Sequence, residues 1–315
     1  MPTTIPWSIR YFLEEGFKRI GGKANQLDGL RVKKTNYNLC PPFKIQATAY
    51  ESTTKDALRS SEAFAHNIFS GVKNVKFEHG LRLGRIYTDI IGCGESFDTI
   101  RTSDTTRTDV VLDDGNGVVD IYEVKMFEYF FKMSNRPIFP GFFKVPKEFY
   151  AESKKYKLDK LKLHNRNSTK VSESFKSFIE EVTEYFRYRK VYQEGIRQIC
   201  CQLLGITNEM KKCDAEITKY DILHGKKIRW HCLCFDHNFG YEKHIISLNK
   251  WREALEQMSP MIKNYLKNVN LHRQIKYCGY LGASNFIEKN KDFLGKKNYN
   301  YVKKRYFFNI YNNVI

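Results

Sequence analysis

Apolar residues along the chain recur at two different periods, and the switches between them mark out the elements. Residues from Ile5 to Phe17 have the spacing of a short amphipathic helix. A basic, polar stretch follows from Lys18 to Tyr37, and Pro41-Pro42 bars a helix there. Ala57, Leu58, Ser61, Phe64, Ala65, Ile68 and Phe69 then share one face at helical spacing. This predicts a helix that starts near Thr53, where Thr53 and Asp56 stand at capping-box-like spacing, and stops at Gly71. Glu62 lies at the edge of that apolar stripe.

Residues 75–91 read as one or two strands, followed by a Gly/Ser/Thr-rich loop from Gly92 to Thr108. The clearest local signal comes next. The run from Thr108 to Leu112 is β-rich, Asp113-Asp114-Gly115-Asn116-Gly117 is a turn cluster, and a second β-rich run extends from Val118 to Lys125. Together they predict a hairpin. From Phe127 to Lys190 the chain is aromatic and basic, broken by Pro137, Pro140 and Pro146. Helices are expected over 172–190 and 192–205, the second burying Ile196, Ile199, Cys200, Leu203 and Leu204 and capped by Gly205. A strand is expected over 228–235 and a long helix over 248–269, while the segment from His272 has no clear period. This order suits an α/β fold with a mixed central sheet flanked by helices.

Length and charge narrow the picture. A chain of 315 residues is one large domain or two small ones, with enough residues for a real core. Lys and Arg outnumber Asp and Glu by 53 to 35, for a net charge of +18. Such an excess concentrates polyanions at the surface. Nucleic acid is therefore the first candidate partner and an anionic membrane surface the second, although AT-rich codon usage also yields chains rich in Lys, Asn, Ile and Tyr. No run approaches the ~20 apolar residues of a membrane span. The start of the chain lacks a basic leader with a long apolar run, which makes the cytoplasm the expected location.

Cysteines at positions 40, 93, 200, 201, 213, 232, 234 and 278 form no regular disulfide framework, so reduced thiols are expected. The segment from His231 to His237 invites a zinc reading. Its alternation instead matches a buried strand in which Cys232 and Cys234 act as small apolar residues, and the ligand spacing is wrong for a structural zinc. No phosphate-binding Gly-rich loop occurs, His66 reads as an ordinary helix residue, and Ser60 and Ser61 lack a nucleophile-elbow context.

Glu-x-Lys occurs three times, at Glu123, Glu152 and Glu209, so the tripeptide alone carries little. Glu152 and Glu209 sit in charged or polar stretches. Glu123-Val124-Lys125 ends an apolar strand whose hairpin partner opens with another acid, Asp109. Side chains two apart on a strand share a face, so Glu123 and Lys125 emerge together, and Asp109 falls opposite residues 121–123. Two carboxylates and the carbonyl of Val124 are hard oxygen donors that suit Mg²⁺, with Mn²⁺ as a substitute. The competing reading is an exposed Glu123–Lys125 ion pair with Asp109 merely opening a strand. The basic charge, the upstream acid Glu62, and Gln198 and Gln202 one helical turn apart downstream tilt the balance toward a site.

These residues carry a resemblance. A helix with an acid, then strands bearing Asp and Glu-x-Lys, then a helix and a further strand resembles the PD-(D/E)XK nuclease superfamily. More narrowly, SSEAFAHNIF, TRTDVVLDD, VVDIYEVK and IRQICCQLLGI resemble a bacterial family assigned as restriction endonucleases, with Ser60, Ser61, Asn67 and Phe69 kept and Glu62 where that family often has Gln. The resemblance covers about Ala57 to Phe235 and departs in having Thr108, not Pro, before Asp109. It implies a restriction-endonuclease-like core and Mg²⁺-dependent cleavage of DNA, most naturally double-stranded, in a restriction or defence role. Asp109 and Glu123 would bind the metal and Lys125 would be the catalytic lysine. Glu62 would bind metal or orient the site, and Gln198 and Gln202 would line it or meet a phosphate. Many nucleases of this type act as homodimers.

Cations mixed with aromatics give the best candidates for wider nucleic-acid contact: Arg187, Arg189 and Lys190 beside Tyr185, Phe186 and Tyr188, and the tail from Lys296 to Tyr306. The expected organisation is an N-terminal arm or cap over 1–52, a nuclease core over 53–270 with an insertion at about 127–190, and a basic, aromatic extension over 271–315. The alternative is a non-catalytic nucleic-acid-binding protein on the same core.

Overall fold

The computed structural model describes residues 5–34, 38–40, 58–72, 76–79, 82–85, 105–134, 173–211 and 223–309. Its elements in chain order are α1 (Trp7–Arg19), a short 3-10 turn (Ala24–Gln26), β1 (Leu27–Asp28), β2 (Arg31–Val32), α2 (Ser61–Phe69), β3 (Lys76–His79), β4 (Arg82–Arg85), β5 (Thr105–Arg107), β6 (Val110–Asp113) and β7 (Val118–Lys125). There follow α3 (Glu128–Phe131), α4 (Glu173–Phe186), α5 (Gln193–Met210), β8 (Lys227–Cys234), α6 (Glu242–Asn268), β9 (Ile275–Gly282), α7 (Ala283–Lys289), α8 (Lys291–Leu294) and α9 (Lys296–Tyr306).

The central sheet has five strands in the order β3-β6-β7-β8-β9. The first three form an antiparallel meander, and β8 and β9 then add in parallel. Parallel neighbours need a long crossover, and the chain between β7 and β8 supplies it with α4 and α5. The hairpin is tied by the Asp side chains of its turn. Asp113 accepts from the Gly115 amide at 3.0 Å, and Asp114 accepts from Asn116 at 2.7 Å and Val118 at 3.1 Å. Gly115 and Gly117 take φ of 74° and 91°, which β-branched residues would resist.

Alternation along β7 divides the core in two. Val119 and Ile121 face one side, where α4, α5 and α6 cover the sheet with Phe178, Ile196, Trp251 and Leu255. Tyr122 and Val124 face the other, where α1, α2 and α9 bring Phe12, Phe64, Phe69 and Tyr306. The result is a mixed α/β architecture with helices on both faces of the sheet. β4 and β5 pair with each other as a separate ribbon and lie against α5. Among the described residues no helix is long and apolar enough to cross a membrane.

Several sequence expectations need adjusting. The helix expected from Thr53 begins at Ser61, because Ser60 is the cap and its hydroxyl accepts from the Ala63 amide at 3.1 Å; Thr53 and Asp56 lie outside the described residues. Residues 105–107, assigned to a loop, form β5. Residues 187–190 turn away from the helix expected to hold them. Gly205 does not cap α5, which runs on to Met210 because Ile206, Thr207 and Met210 are still buried. Pro137, Pro140 and Pro146 lie outside the described residues. Reduced thiols hold for Cys40, Cys200, Cys232, Cys234 and Cys278, while Cys201 is disulfide-bonded. The segment from 271, set apart in the sequence as an extension, supplies the edge strand β9 and packs Val302 and Tyr306 of α9 against α1 and α2.

Candidate active site

The site is built at the end of β7. Val110 pairs with Tyr122 in the antiparallel ladder, so the next step sets Asp109 opposite Glu123. Glu123 and Lys125 share the face of Val119 and Ile121, beneath α5. Both are buried, at 4% and 5% exposure, while Asp109 is partly exposed.

Hydrogen bonds fix each group. Lys125 Nζ donates to Glu123 Oε1 at 2.5 Å and to Gln198 Oε1 at 2.8 Å. Gln202 Nε2 donates to the other Glu123 oxygen. Gln198 and Gln202 stand one turn apart on α5, with their amides turned to Lys125 and Glu123. Asp109 Oδ2 accepts from the Val124 amide at 2.7 Å. The Lys125 carbonyl accepts from Phe235 on the β8 side. Consecutive residues of a strand turn their backbone groups to opposite edges, so the Val124 carbonyl points to the β6 edge, beside Asp109.

Sequence reasoning missed two neighbours. Glu128 accepts from the Met126 and Phe127 amides at 2.8 and 3.1 Å as the chain leaves β7, and its charge reaches Asp109 and Lys125. The Tyr192 ring centroid lies 5.9 Å from Lys125 Nζ. An acid three residues past Glu-x-Lys was the available signal for Glu128. Nothing in the sequence marked Tyr192.

Burial, and then the charge of Glu123, push the Asp109 carboxyl well above the usual carboxylate range; Lys125 and the Val124 amide oppose this incompletely. Burial works against a charged Lys125, but Glu123, Tyr192, Asp109 and Glu128 outweigh it and hold the ammonium above its ordinary value. A charged Asp109 beside Glu123 is therefore disfavoured, because Lys125 and the Val124 amide do not fully offset burial and the neighbouring carboxylate.

That is an environment a divalent cation relieves. Among the described residues no group of three or more His, Cys, Asp or Glu side chains is arranged to hold a metal. The protein's share here is two carboxylates and a carbonyl, which fits Mg²⁺, an ion that keeps much of its water. Each Glu123 oxygen gives one lone pair to Lys125 or Gln202 and retains another.

Glu62 stands in the first turn of α2, on the opposite face of the sheet from Glu123 and Lys125. The charges acting most on Asp109 come from Glu123, Lys125 and Glu128. Arg187, Arg189 and Lys190 are exposed in the turn after α4, just before Tyr192. The Arg189 guanidinium sits 4.2 Å over the Tyr185 ring, and Arg187 pairs with Glu184 at 3.6 Å. In the tail, Arg305 and Tyr306 are buried. Neither a family model nor a characterised protein nor a solved structure matches the chain.

Proposed function

We propose that the protein is a divalent-metal-dependent nuclease that hydrolyses phosphodiester bonds in DNA. One observation carries this reading. Asp109, at the bend that leads into β6, is fastened to Val124 and feels the charge of Glu123 on β7, with Lys125 buried beside Glu123 and both ends of the Glu123–Lys125 pair gripped by glutamines of the crossover helix. A surface ion pair would have no use for that second layer of polar residues. The order of α2, a three-strand antiparallel meander, α5 and the parallel strand β8 supports a restriction-endonuclease-like core, the arrangement that the Asp and Glu-x-Lys motifs led us to expect.

Asp109, Glu123 and the Val124 carbonyl would hold Mg²⁺ or Mn²⁺, which when bound polarises a phosphoryl oxygen and acidifies its water. Lys125 is held charged, so its part is to donate hydrogen bonds to the attacking water or a phosphoryl oxygen and to offset negative charge in the transition state. Gln198 and Gln202 keep Lys125 and Glu123 in one rotamer each. Arg187, Arg189 and Lys190 would meet the phosphate backbone beyond the cleavage point. The DNA substrate rests on the +18 charge, and a restriction role rests on the sequence resemblance.

The test is incubation of supercoiled plasmid with Mg²⁺, Mn²⁺ or EDTA, with Glu123→Gln and Lys125→Gln alongside. Metal-dependent nicking or linearisation, lost in both variants while circular dichroism shows them folded, supports the proposal. Salt-sensitive binding without cleavage by the wild type favours the non-catalytic alternative.

A further inference from the structure

A second constellation lies on the other face of the sheet, toward the opposite end of β7. Arg229 grips Asp120 with two hydrogen bonds, Nε to Oδ1 at 2.6 Å and Nη2 to Oδ2 at 2.5 Å. His231 Nε2 stands 3.4 Å from Asp120 Oδ1, and its ring is stacked on Tyr122 with centroids 5.0 Å apart and planes 16° from parallel. A clamped carboxylate and a stacked ring fix the imidazole in place.

The register of β8 on β9 then slips. Trp230 pairs with Tyr277 but His231 pairs with Gly279, so Cys278 is the extra residue of a β-bulge, and Gly279 takes φ of 67°. Tyr277 and Tyr280 both pack toward the α5 side, so the two residues between them turn the other way. The bulge sets Cys278 across the ladder from His231, where its thiol also reaches the Lys276 carbonyl at 3.7 Å. Among the described free cysteines, Cys40, Cys200, Cys232 and Cys234 are buried and Cys278 alone is partly exposed.

We propose that Cys278 is a second reactive site, a nucleophilic thiolate paired with the His231 imidazolium, which hydrogen peroxide oxidises to a sulfenic acid. The thiolate attacks one peroxide oxygen, forming an S–O bond as the O–O bond breaks. Sulfur loses two electrons, and the departing hydroxide takes the His231 proton and leaves as water. The charges facing the thiol favour this state. Burial raises the thiol, but the neighbouring His231 and the charge of Lys276 outweigh it, with Asp120 opposing, and the thiol titrates below its ordinary value. For His231 burial is outweighed by the hydrogen bond to Asp120 and by the neighbouring Cys278, so its imidazolium persists above its ordinary range. Arg229 and Tyr122 complete the set, and Phe286 on α7 adds an apolar wall against Tyr122. None of these groups belongs to the Asp109–Glu123 site, so the thiol chemistry is independent of nuclease activity.

Iodoacetamide labelling of the full chain, followed by peptide mass mapping from pH 5 to 9, tests it. In the folded chain at pH 6.5, Cys278 should label several-fold faster than the same residue in urea, an advantage that His231→Gln abolishes. Hydrogen peroxide followed by dimedone should place the sulfenic-acid adduct on Cys278 and not on Cys232 or Cys234. Equal labelling in the folded chain and in urea overturns the proposal without recourse to any variant, as does a dimedone map that leaves Cys278 unmarked.

Discussion

The Val124 amide donates to Asp109 Oδ2 at 2.7 Å, so the Asp109 side chain is fastened to the backbone of the strand that carries Glu123 and Lys125. The Asp109 carboxylate is therefore held at β7 by that bond and not left to a free choice of rotamer. Gln202 and Lys125 fasten Glu123 in the same way from the other direction.

The elevated Asp109 carboxyl makes the metal-free chain sensitive to pH. A carboxyl raised above its unfolded value near 3.9 contributes stability that is full below that value and is lost as pH rises through the folded value. In EDTA, urea unfolding of the wild type should therefore weaken between pH 4 and neutrality relative to Asp109→Asn. At neutral pH that variant should be the more stable, and Mg²⁺ should stabilise the wild type alone. Equal pH profiles would show that Asp109 is not under this strain.

Gln202 is buried at 2% exposure and donates to Glu123. Gln202→Leu removes that donor from a buried carboxylate, at a cost of about 1–3 kcal/mol. Groups that orient metal ligands typically alter metal affinity or activity by about 10–100-fold. We expect a fall in Mg²⁺ affinity of that order by calorimetry, with DNA binding in EDTA unchanged.

Gly195 lies under the Tyr192 ring. A Cβ added there would meet Tyr192 carbons at 2.4 and 2.6 Å and Trp251 at 2.8 Å. Both rings are buried, so neither yields easily. Gly195→Ala should destabilise by about 1–3 kcal/mol through overpacking, read as a lower urea midpoint, and should shift Tyr192 against Lys125 and reduce cleavage.

Asn67 ties α2 to two distant segments. Its side chain accepts from the Cys40 amide at 2.7 Å and donates to the Asn38 carbonyl at 3.0 Å and Tyr306 Oη at 2.9 Å. Its carbonyl accepts from Asn298 at 2.9 Å. Asn67→Ala leaves several buried partners unpaired and should lower stability by about 2–4 kcal/mol. Metal affinity at the Asp109 site should be unchanged under conditions where the variant is folded.

The sequence made some of this legible and hid the rest for identifiable reasons. The hairpin was readable because β-rich runs flank an Asp/Gly turn, and period two alone placed Glu123 and Lys125 on one face. Asn67 and Phe69 stood out through the resemblance, and both are wholly buried. Gln198 and Gln202 had the look of ordinary helix surface, since only the packing of α5 over β7 gives them a carboxylate and an ammonium to bind. β9 was not legible because its partner, β8, is separated from it by the 27 residues of α6, and Tyr277, Cys278 and Gly279 break the alternation at the bulge. Gly205 misled because a glycine ends a helix only where the residues beyond it gain nothing by burial, and Ile206 and Met210 do gain.

The central claim, that Lys125 serves hydrolysis at a metal held by Asp109 and Glu123, is tested most directly by single-turnover cleavage of a fluorescent DNA duplex in Mg²⁺, with binding to the same duplex measured by anisotropy in Ca²⁺. Wild type and Lys125→Gln should bind with affinities within about threefold, and the variant's cleavage rate should fall by about 100-fold or more. Wild-type protein that binds the duplex but never cleaves it in Mg²⁺, or a variant that cleaves at the wild-type rate, would contradict that claim.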